Sequence, residues 1–311
     1  MTLNAEVIMQ PHGILICSKI IIFLTEITLS QLRLVDPDSL RNVSELISSK
    51  GYPVEEHNVI TEDGYVLAIQ RIPRGRVQDG NELSSSKTPV LFQHGFLGAA
   101  SDYVINFPHQ SLGFILADAG YDVWLGNFRG NTYSSHINLS RDSSEFWNFS
   151  ADEMASEDLP STIDTVLKIT GKKKLQCIGW SQGALIMFAL LSEKPEYNKK
   201  ISLFSAMAPA VYLGHFRAPM ALLVPFAELI RPKPPGYTLS RVEVPVAIYW
   251  SKGDWFAVEQ DVAHLRQELA NVVEYYQVPE EQFTHIDFGW GINAEPILYR
   301  KMMSVMEDFR T

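Results

Sequence analysis

The pentapeptide Gly179-Trp180-Ser181-Gln182-Gly183 contains the serine of this chain that is best suited to nucleophilic chemistry. It follows the apolar run 175–178, typical of a buried strand, and precedes the run 184–191, typical of a helix. A serine hydroxyl is a weak nucleophile unless a neighbouring base accepts its proton. A sharp strand-to-helix turn presents the hydroxyl to such a base, and glycines two residues before and after it let strand and helix pass closely. The pattern therefore predicts that Ser181 is a catalytic nucleophile.

Two residues downstream of Ser181 could complete a catalytic triad. A catalytic serine needs a histidine base, and the histidine needs an acid to orient it. When the serine lies on an elbow of this kind, the acid and then the histidine follow it along the chain. Asp254 follows the strand-like run 244–250, and His285 follows the strand-like run 272–278. The order predicts Asp254 as the acid and His285 as the base.

Two other aspartates compete with Asp254 for the role of the acid. Asp261 falls within a predicted helix. Asp287 lies too close to His285 along the chain to face its imidazole ring easily. Both are therefore weaker candidates than Asp254.

An oxyanion hole requires two backbone N–H groups directed at the developing negative charge. One is expected from Gln182, the residue after the nucleophile. The other is expected from the loop His94-Gly95-Phe96-Leu97, where Phe96 is the predicted donor. The side chain of Phe96 is incidental to this role because the backbone donates.

The elements around these residues alternate between strand and helix. Strand-like runs occupy 54–60, 65–72, 89–93, 121–125, 175–178, 201–207, 244–250 and 272–278, and helix-like runs occupy 103–119, 163–170, 184–191, 258–269 and 296–309. Asp63-Gly64 predicts a hairpin turn between the first two strands. The alternation predicts an α/β fold whose central sheet is mostly parallel and is covered by helices on both faces. Ligands of such sheets bind beyond the carboxyl ends of the strands, where Ser181 is expected.

Composition limits the classes of partner and cofactor. The 311 residues carry a net charge of −10, and no basic stripe offsets it, which argues against binding of nucleic acid. The two cysteines, Cys17 and Cys177, give no disulfide framework or zinc spacing, and Cys177 is expected to be a buried free thiol. The histidines show no metal-ligand clustering, so neither a metal nor a cofactor is expected.

The first 34 residues are predicted to be a leader, and residues 35–311 a single domain. The leader contains the apolar stretch 14–24, interrupted by Lys19, which is too short to span a bilayer and is compatible with a signal peptide. Sequons at Asn42, Asn138 and Asn148 are predicted glycosylation sites and favour secretion.

From about Asp36 to its end, the chain resembles the acid lipase family, which includes gastric and lysosomal acid lipases. The resemblance implies the α/β-hydrolase fold, hydrolysis of carboxylic esters of lipids such as triacylglycerols or sterol esters, and a secreted or lysosomal location. It also places Ser181, Asp254 and His285 at the family's triad positions. The segments that carry it are Gly51 to His57, Thr61 to Leu67, Gln93 to Gly95, Leu116 to Thr132, Glu145 to Trp147, Asp152 to Ala155 and the elbow, and Phe96 and Gln182 match the family's oxyanion-hole positions.

Two departures from the family pattern affect the expectations. Position 180 is Trp where the family usually has His. The stretch 209–243 is much shorter than the cap and lid that the family carries there, with an apparent break between Leu229 and Pro232, so this stretch is expected to be a cap remnant. Loss of the cap would expose an apolar patch formed by Phe96, Leu97, Trp180 and Trp290. Of these, Leu97, Trp180 and Trp290 are the predicted substrate-binding residues.

The favoured function is hydrolysis of lipid esters through an acyl-enzyme. Two alternatives remain open because the cap is short: an esterase for short-chain esters, or a catalytically impaired lipid-binding protein. The expected partners are a lipid ester substrate and a lipid interface, with neither nucleic acid nor a transmembrane span.

Overall fold

The computed structural model describes residues 36–76, 87–217 and 236–311. The predicted leader with Cys17 and the predicted cap junction between Leu229 and Pro232 lie outside these ranges. The chain divides into two units, 1–41 and 42–311. In the first unit, the described residues form the 3-10 turn Pro37–Leu40, capped by the side chain of Asp36.

In the second unit, the described residues contribute nine strands to one sheet. Their bounds in chain order are β1 Glu55–Ile60, β2 Tyr65–Ile72, β3 Pro89–Gln93, β4 Asp122–Leu125, β5 Ser134–His136, β6 Leu175–Trp180, β7 Ile201–Met207, β8 Val246–Trp250 and β9 Val272–Gln277.

The sheet is mostly parallel, as predicted. Its order is β1-β2-β4-β3-β6-β7-β8-β9, and β5 pairs with β2. The pairs that β2 makes with β1, β4 and β5 are antiparallel, and all other pairs are parallel. The predicted hairpin joins β1 to β2, and its turn places Gly64 at φ +94°, a conformation that glycine adopts without steric cost.

The helices of the second unit alternate with the parallel strands. They are α1 Val43–Ser49, α2 Leu112–Asp118, α3 Ala151–Glu153, α4 Leu159–Thr170, α5 Gln182–Glu193, α6 Glu259–Glu268, α7 Asp287–Trp290 and α8 Arg300–Glu307. The 3-10 segments are Ala100–Tyr103, Glu145–Trp147, Pro195–Lys200 and Leu239–Arg241, and the π-helical turns are Met154–Asp158 and Glu295–Tyr299. The chain moves across the sheet in one direction from β3 to β4 and in the opposite direction from β6 to β9. Because crossovers between parallel strands are right-handed, these two directions place helices on opposite faces of the sheet.

The predicted helix 103–119 is wrong over its first half. The structure has the 3-10 turn Ala100–Tyr103, then an irregular segment, and only then α2, which begins at Leu112. Pro108 lies in this irregular segment. Because proline lacks an N–H and disfavours helical backbone in the residue before it, the helix begins after it.

The direction of the strand order reverses between β3 and β6. The chain steps from β3 outward to β4 on one side, and from β6 outward to β9 on the other. In open α/β sheets, the crevice beyond the carboxyl ends of the strands at such a switch point is the usual ligand site. The loop that follows β3 and the residue that follows β6, Ser181, both lie at this crevice.

The predicted cap remnant 209–243 falls only partly within the described ranges. Val211, Tyr212 and Tyr237 are partly buried against the hydrophobic core, and Leu239 is buried in it. No helix of the described ranges is long and apolar enough to cross a bilayer.

Candidate active site

Ser181 lies on a strained turn between the end of β6 and the start of α5. Its backbone has φ 55° and ψ −113°, and among the described residues only Leu97 and Ala208 are other non-glycine residues with positive φ. A Cβ at Gly183 would lie 2.4 Å from the Gln93 carbonyl oxygen, so only glycine fits where α5 passes the end of β3. Local sequence thus produces the elbow geometry that presents the hydroxyl at the end of the strand.

His285 and Asp254 form a buried hydrogen-bonded pair. The His285 Nδ1 atom lies 2.8 Å from Asp254 Oδ2, and the Asp254 side chain is fully buried. The other carboxylate oxygen accepts hydrogen bonds from the N–H groups of Phe256, at 2.7 Å, and Ala257, at 2.9 Å. Asp254 is therefore held rigidly while it orients the imidazole, which leaves Nε2 of His285 for proton transfer.

The competing aspartates have other partners. Asp261 accepts from His215, with 2.7 Å between Oδ1 and the ring Nδ1 and 3.0 Å between Oδ2 and the backbone N. Asp287 accepts from the backbone N and the hydroxyl of Thr284 at 2.7 and 2.6 Å. Of the three carboxylates, Asp254 is the one bonded to His285.

The loop after β3 approaches Ser181 closely. A Cβ at Gly95 would lie 3.3 Å from the Ser181 Cβ. No hydrogen bond within the described ranges uses the backbone N–H of Phe96 or of Gln182. Gln182 is also the first residue of α5, where the helix dipole favours negative charge. These two unused donors are available for an oxyanion beside Ser181.

His94 fixes the start of this loop. Its Nδ1 lies 2.8 Å from the Gly95 carbonyl oxygen, and its Nε2 accepts from the Phe128 N–H at 3.1 Å. These partners require a neutral ring that carries its proton on Nδ1. Burial lowers the pKa of His94 to about 4, which keeps the ring neutral under most conditions. The sequence analysis assigned no role to this histidine.

Ser181 and His285 line the same cavity, which has a volume of about 580 Å³ and mostly apolar walls. No hydrogen bond joins them within the described part of the chain. Contacts of this kind are often long in unliganded enzymes and tighten when substrate binds. The cavity is therefore a concave apolar site whose lining includes a nucleophile, a base and the two residues with unused N–H donors.

The residues of the predicted apolar patch all line this cavity, but they differ in exposure. Leu97 is 89% exposed, Phe96 63% and Trp290 42%. The expectation that Trp180 is exposed is wrong, since it is only 5% exposed. Its indole N–H donates to the His285 carbonyl oxygen at 3.1 Å, so this residue supports the loop that carries the histidine.

Asp102 is a titratable cavity residue that the sequence analysis missed. Its carboxylate accepts from the Ala99 N–H at 3.3 Å and from the Trp290 indole. Burial raises its pKa to about 6. Its position in the loop after a strand that ends near the nucleophile was the available signal, but many loop aspartates share that signal.

The three predicted glycosylation sites are exposed. Asn42 caps α1 through its side-chain oxygen, which accepts from the Glu45 N–H at 2.9 Å. Asn138 and Asn148 lie in exposed loops.

No group of three metal-ligating side chains occurs in the ranges described. Cys177 is buried and free, as predicted.

Comparison with family models places two matches on the chain. Residues 43–107 match a partial alpha/beta-hydrolase lipase region, and residues 88–237 match the alpha/beta hydrolase fold.

Several lipases are similar to this chain over most of its length. Gastric triacylglycerol lipase of Bos taurus is 34% identical over 373 residues, covering 88% of this chain and 93% of the relative. Lipase member M of Homo sapiens is 32% identical, covering 89% and 88%. The human lysosomal acid lipase/cholesteryl ester hydrolase is 32% identical over 399 residues, covering 96% and 98%. These alignments exceed the 311 residues of the chain, so the relatives contain residues that it lacks.

Solved structures share the fold at low sequence identity. An esterase from Pyrococcus furiosus has a TM-score of 0.59 at 18% identity, covering 84% of this chain and 92% of its own. A putative lipase from Acinetobacter baumannii has a TM-score of 0.61 at 13% identity, covering 86% and 94%.

Proposed function

The chain belongs to the acid lipase family of the α/β-hydrolases, and on this premise we propose that it hydrolyses carboxylic esters of lipids at Ser181. The substrate class is triacylglycerols or sterol esters, the classes named for the gastric and lysosomal relatives. The observation that carries the assignment of residues is the His285–Asp254 hydrogen bond beside the elbow serine.

The reaction proceeds through an acyl-enzyme in two steps. His285 takes the proton of the Ser181 hydroxyl as the oxygen attacks the ester carbonyl, and the N–H groups of Phe96 and Gln182 stabilise the oxyanion. His285 then gives the proton to the departing alcohol. Water attacks the acyl-enzyme with His285 again as base, and the fatty acid leaves. Asp254 orients the imidazole and stabilises its charged form throughout.

A fluorophosphonate probe tests the nucleophile. We expect the probe to label wild-type protein at Ser181, and we expect Ser181→Ala to abolish both labelling and ester turnover while the protein melts normally. Turnover that survives in Ser181→Ala would reject the assignment.

Comparison of substrates tests the lipid class. An esterase for short-chain esters is the second candidate, since the chain is shorter than its relatives and its cavity-lining residues Leu97 and Phe96 are exposed. We expect turnover of emulsified long-chain triacylglycerol or sterol ester. Turnover of tributyrin without either would favour the second candidate, and probe labelling without any turnover would favour an impaired lipid-binding protein.

The exposed apolar rim of the cavity fits a lipid surface. Leu97, Phe96, Ile286 and Trp290 are exposed there, and burial of such apolar area against lipid is favourable. Leu97→Ser is expected to weaken binding to triolein droplets, whereas Ile169→Ser, at an exposed position of α4, is not. Equal droplet binding by the two variants would show that this rim is not the surface that contacts lipid. Nucleic acid is not a partner in this proposal, given the net charge of −10.

The protein is secreted or lysosomal, and its relatives include lipases that are named gastric and lysosomal. Exposure of Asn42, Asn138 and Asn148 supports glycosylation on this route. Glycosidase treatment of protein expressed in a secretory host should reduce its mass, and Asn→Gln at all three sites should abolish that shift.

A further inference from the structure

A second cavity, of about 390 Å³, lies on the other side of the loop that follows β3. The walls of the two cavities share the loop residues Phe96, Leu97 and Gly98, and they also share Gln182. The loop is therefore a partition. Both cavities border the two residues whose N–H groups we assign to the oxyanion hole.

The second cavity has a largely apolar wall that is rich in aromatic side chains. This wall is formed by Phe128, Trp147, Phe149 and Met154. Trp147 is 47% exposed, so part of this apolar surface remains available to a ligand. Besides two arginines, the polar lining residues are His94, Asn131, Thr132 and Gln182, but apolar groups provide most of the lining surface. Mostly apolar pockets with a few polar groups are typical of sites for largely apolar ligands.

The two arginines of this cavity are occupied by protein groups. Arg141 donates to three backbone carbonyl groups, and its guanidinium lies 4.9 Å and 5.0 Å from the ring centroids of Phe146 and Trp147. Arg129 is 2% exposed and pairs with two aspartates. Their donors hold the wall together, which argues against an anionic ligand and in favour of a hydrocarbon chain.

The chemistry of the proposed reaction distinguishes the two cavities. The departing alcohol oxygen receives its proton from His285, so the alcohol part must lie beside that residue. His285 lines the first cavity and is absent from the wall of the second. The acyl chain extends from the carbonyl carbon away from the alcohol. The second cavity borders Phe96 and Gln182, whose N–H groups are assigned to the carbonyl oxygen. It does not border His285, beside which the alcohol must lie.

We propose that the second cavity binds the acyl chain of the lipid ester and that the first cavity binds the alcohol part. This inference rests on the proposed function and deepens it. Leu97 lines both cavities and is 89% exposed, so it separates the two parts of the substrate and becomes buried between them. The preferred substrate class is an ester that joins an apolar chain to a bulky apolar alcohol part.

Filling each cavity separately tests the proposal. Met154→Trp narrows the second cavity, and Thr132→Trp narrows it from an exposed position that tolerates a large side chain. Leu213→Trp narrows the first cavity at a residue that is 47% exposed. Ile169→Trp, on the exposed side of α4, is the matched control.

Two substrate series give the readout. The first varies the acyl chain from butyrate to palmitate on one alcohol, p-nitrophenol, and the second varies the alcohol from methanol to glycerol and sterol with one acyl chain, oleate. We expect Met154→Trp and Thr132→Trp to lower the palmitate-to-butyrate ratio of kcat/KM at least tenfold while the alcohol ratios stay within threefold. Leu213→Trp should change the alcohol ratios and leave the palmitate-to-butyrate ratio within threefold. Ile169→Trp should change neither set of ratios.

Two results would overturn the inference. Shortening of the acyl preference by Leu213→Trp but not by the variants of the second cavity would place the chain in the first cavity. Unchanged ratios in both second-cavity variants, with normal melting, would leave that cavity without a role in substrate binding. Neither result touches the proposed function, which is tested separately by the loss of turnover in Ser181→Ala and by turnover of long-chain lipid esters in the wild-type protein.

Discussion

Two aspartates of this chain make almost the same contact and are expected to differ in what they do. Asp254 and Asp261 are 2% and 4% exposed, and each bonds to the Nδ1 atom of a histidine, at 2.8 and 2.7 Å. The partner of Asp254, His285, faces the cavity that contains the nucleophile, whereas His215 is 64% exposed. Burial and a histidine partner are therefore insufficient to identify a catalytic acid.

This pair provides a matched test of the triad. We expect Asp254→Asn to lower kcat by about 10³- to 10⁴-fold, because the amide favours the wrong tautomer of His285. Asp261→Asn should keep kcat within a few-fold. Both variants are to be assayed on p-nitrophenyl butyrate and checked by thermal melting. Similar losses of kcat in both would mean that the role of Asp254 is structural.

At the scale of elements, the elbow depends on the absence of side chains. The Cβ that Gly183→Ala introduces would lie 2.4 Å from the Gln93 carbonyl oxygen and 2.7 Å from that of His94, both of them backbone atoms. The end of β3 or the start of α5 must move, which displaces the oxyanion loop or Ser181. Overpacking of this kind costs roughly 1–3 kcal/mol of stability.

We therefore expect Gly183→Ala to lower both the urea midpoint and kcat. Gly236→Ala is the control, because no atom of the described residues lies within 4 Å of its Cβ position and its φ is not positive. Urea unfolding and p-nitrophenyl butyrate turnover measure the two effects. An active, fully stable Gly183→Ala protein would contradict the close packing described for the elbow.

The elements also show where the sequence was sufficient and where it was not. Strands such as β3 and β7 have the bounds that their apolar runs predict, because buried parallel strands leave a strong local signal. The helix predicted over 103–119 failed at Pro108, a residue whose backbone effect was overlooked. The roles of His94, Asp102 and Trp180 depend on contacts with distant segments, which no local pattern encodes.

At the scale of the whole molecule, two buried groups have opposite effects on the stability of the fold as the pH falls. His94 has a folded pKa of about 4, below the usual 6.5, so the unfolded chain binds its proton first and stability falls as the pH drops from 6.5 towards 4. Asp102 has a folded pKa of about 6, above the usual 3.8, so the folded protein binds its proton first and stability rises as the pH drops through the window from 6 to 3.8.

When one of the two groups is removed, the effect of the other on the pH dependence of stability should become measurable. Relative to wild type, Asp102→Asn is expected to lose about 1.4 kcal/mol of stability for each pH unit between 6 and 4, and His94→Gln is expected to gain by a similar slope. Urea titrations at pH 4, 5, 6 and 7 measure the slopes. Curves that stay parallel to that of wild type would show that neither group titrates as described.

Trp180, the residue before the nucleophile, contacts the loop of the base: its indole N–H donates to the His285 carbonyl oxygen, and its ring makes an edge-on contact with Trp290 at 6.0 Å between centroids. Indole emission responds to the polarity and packing of its surroundings, and this indole lines the cavity that contains Ser181 and His285. The protein thus contains its own optical reporter. Formation and decay of the acyl-enzyme should be visible as a transient change in intrinsic fluorescence, without any chromogenic substrate.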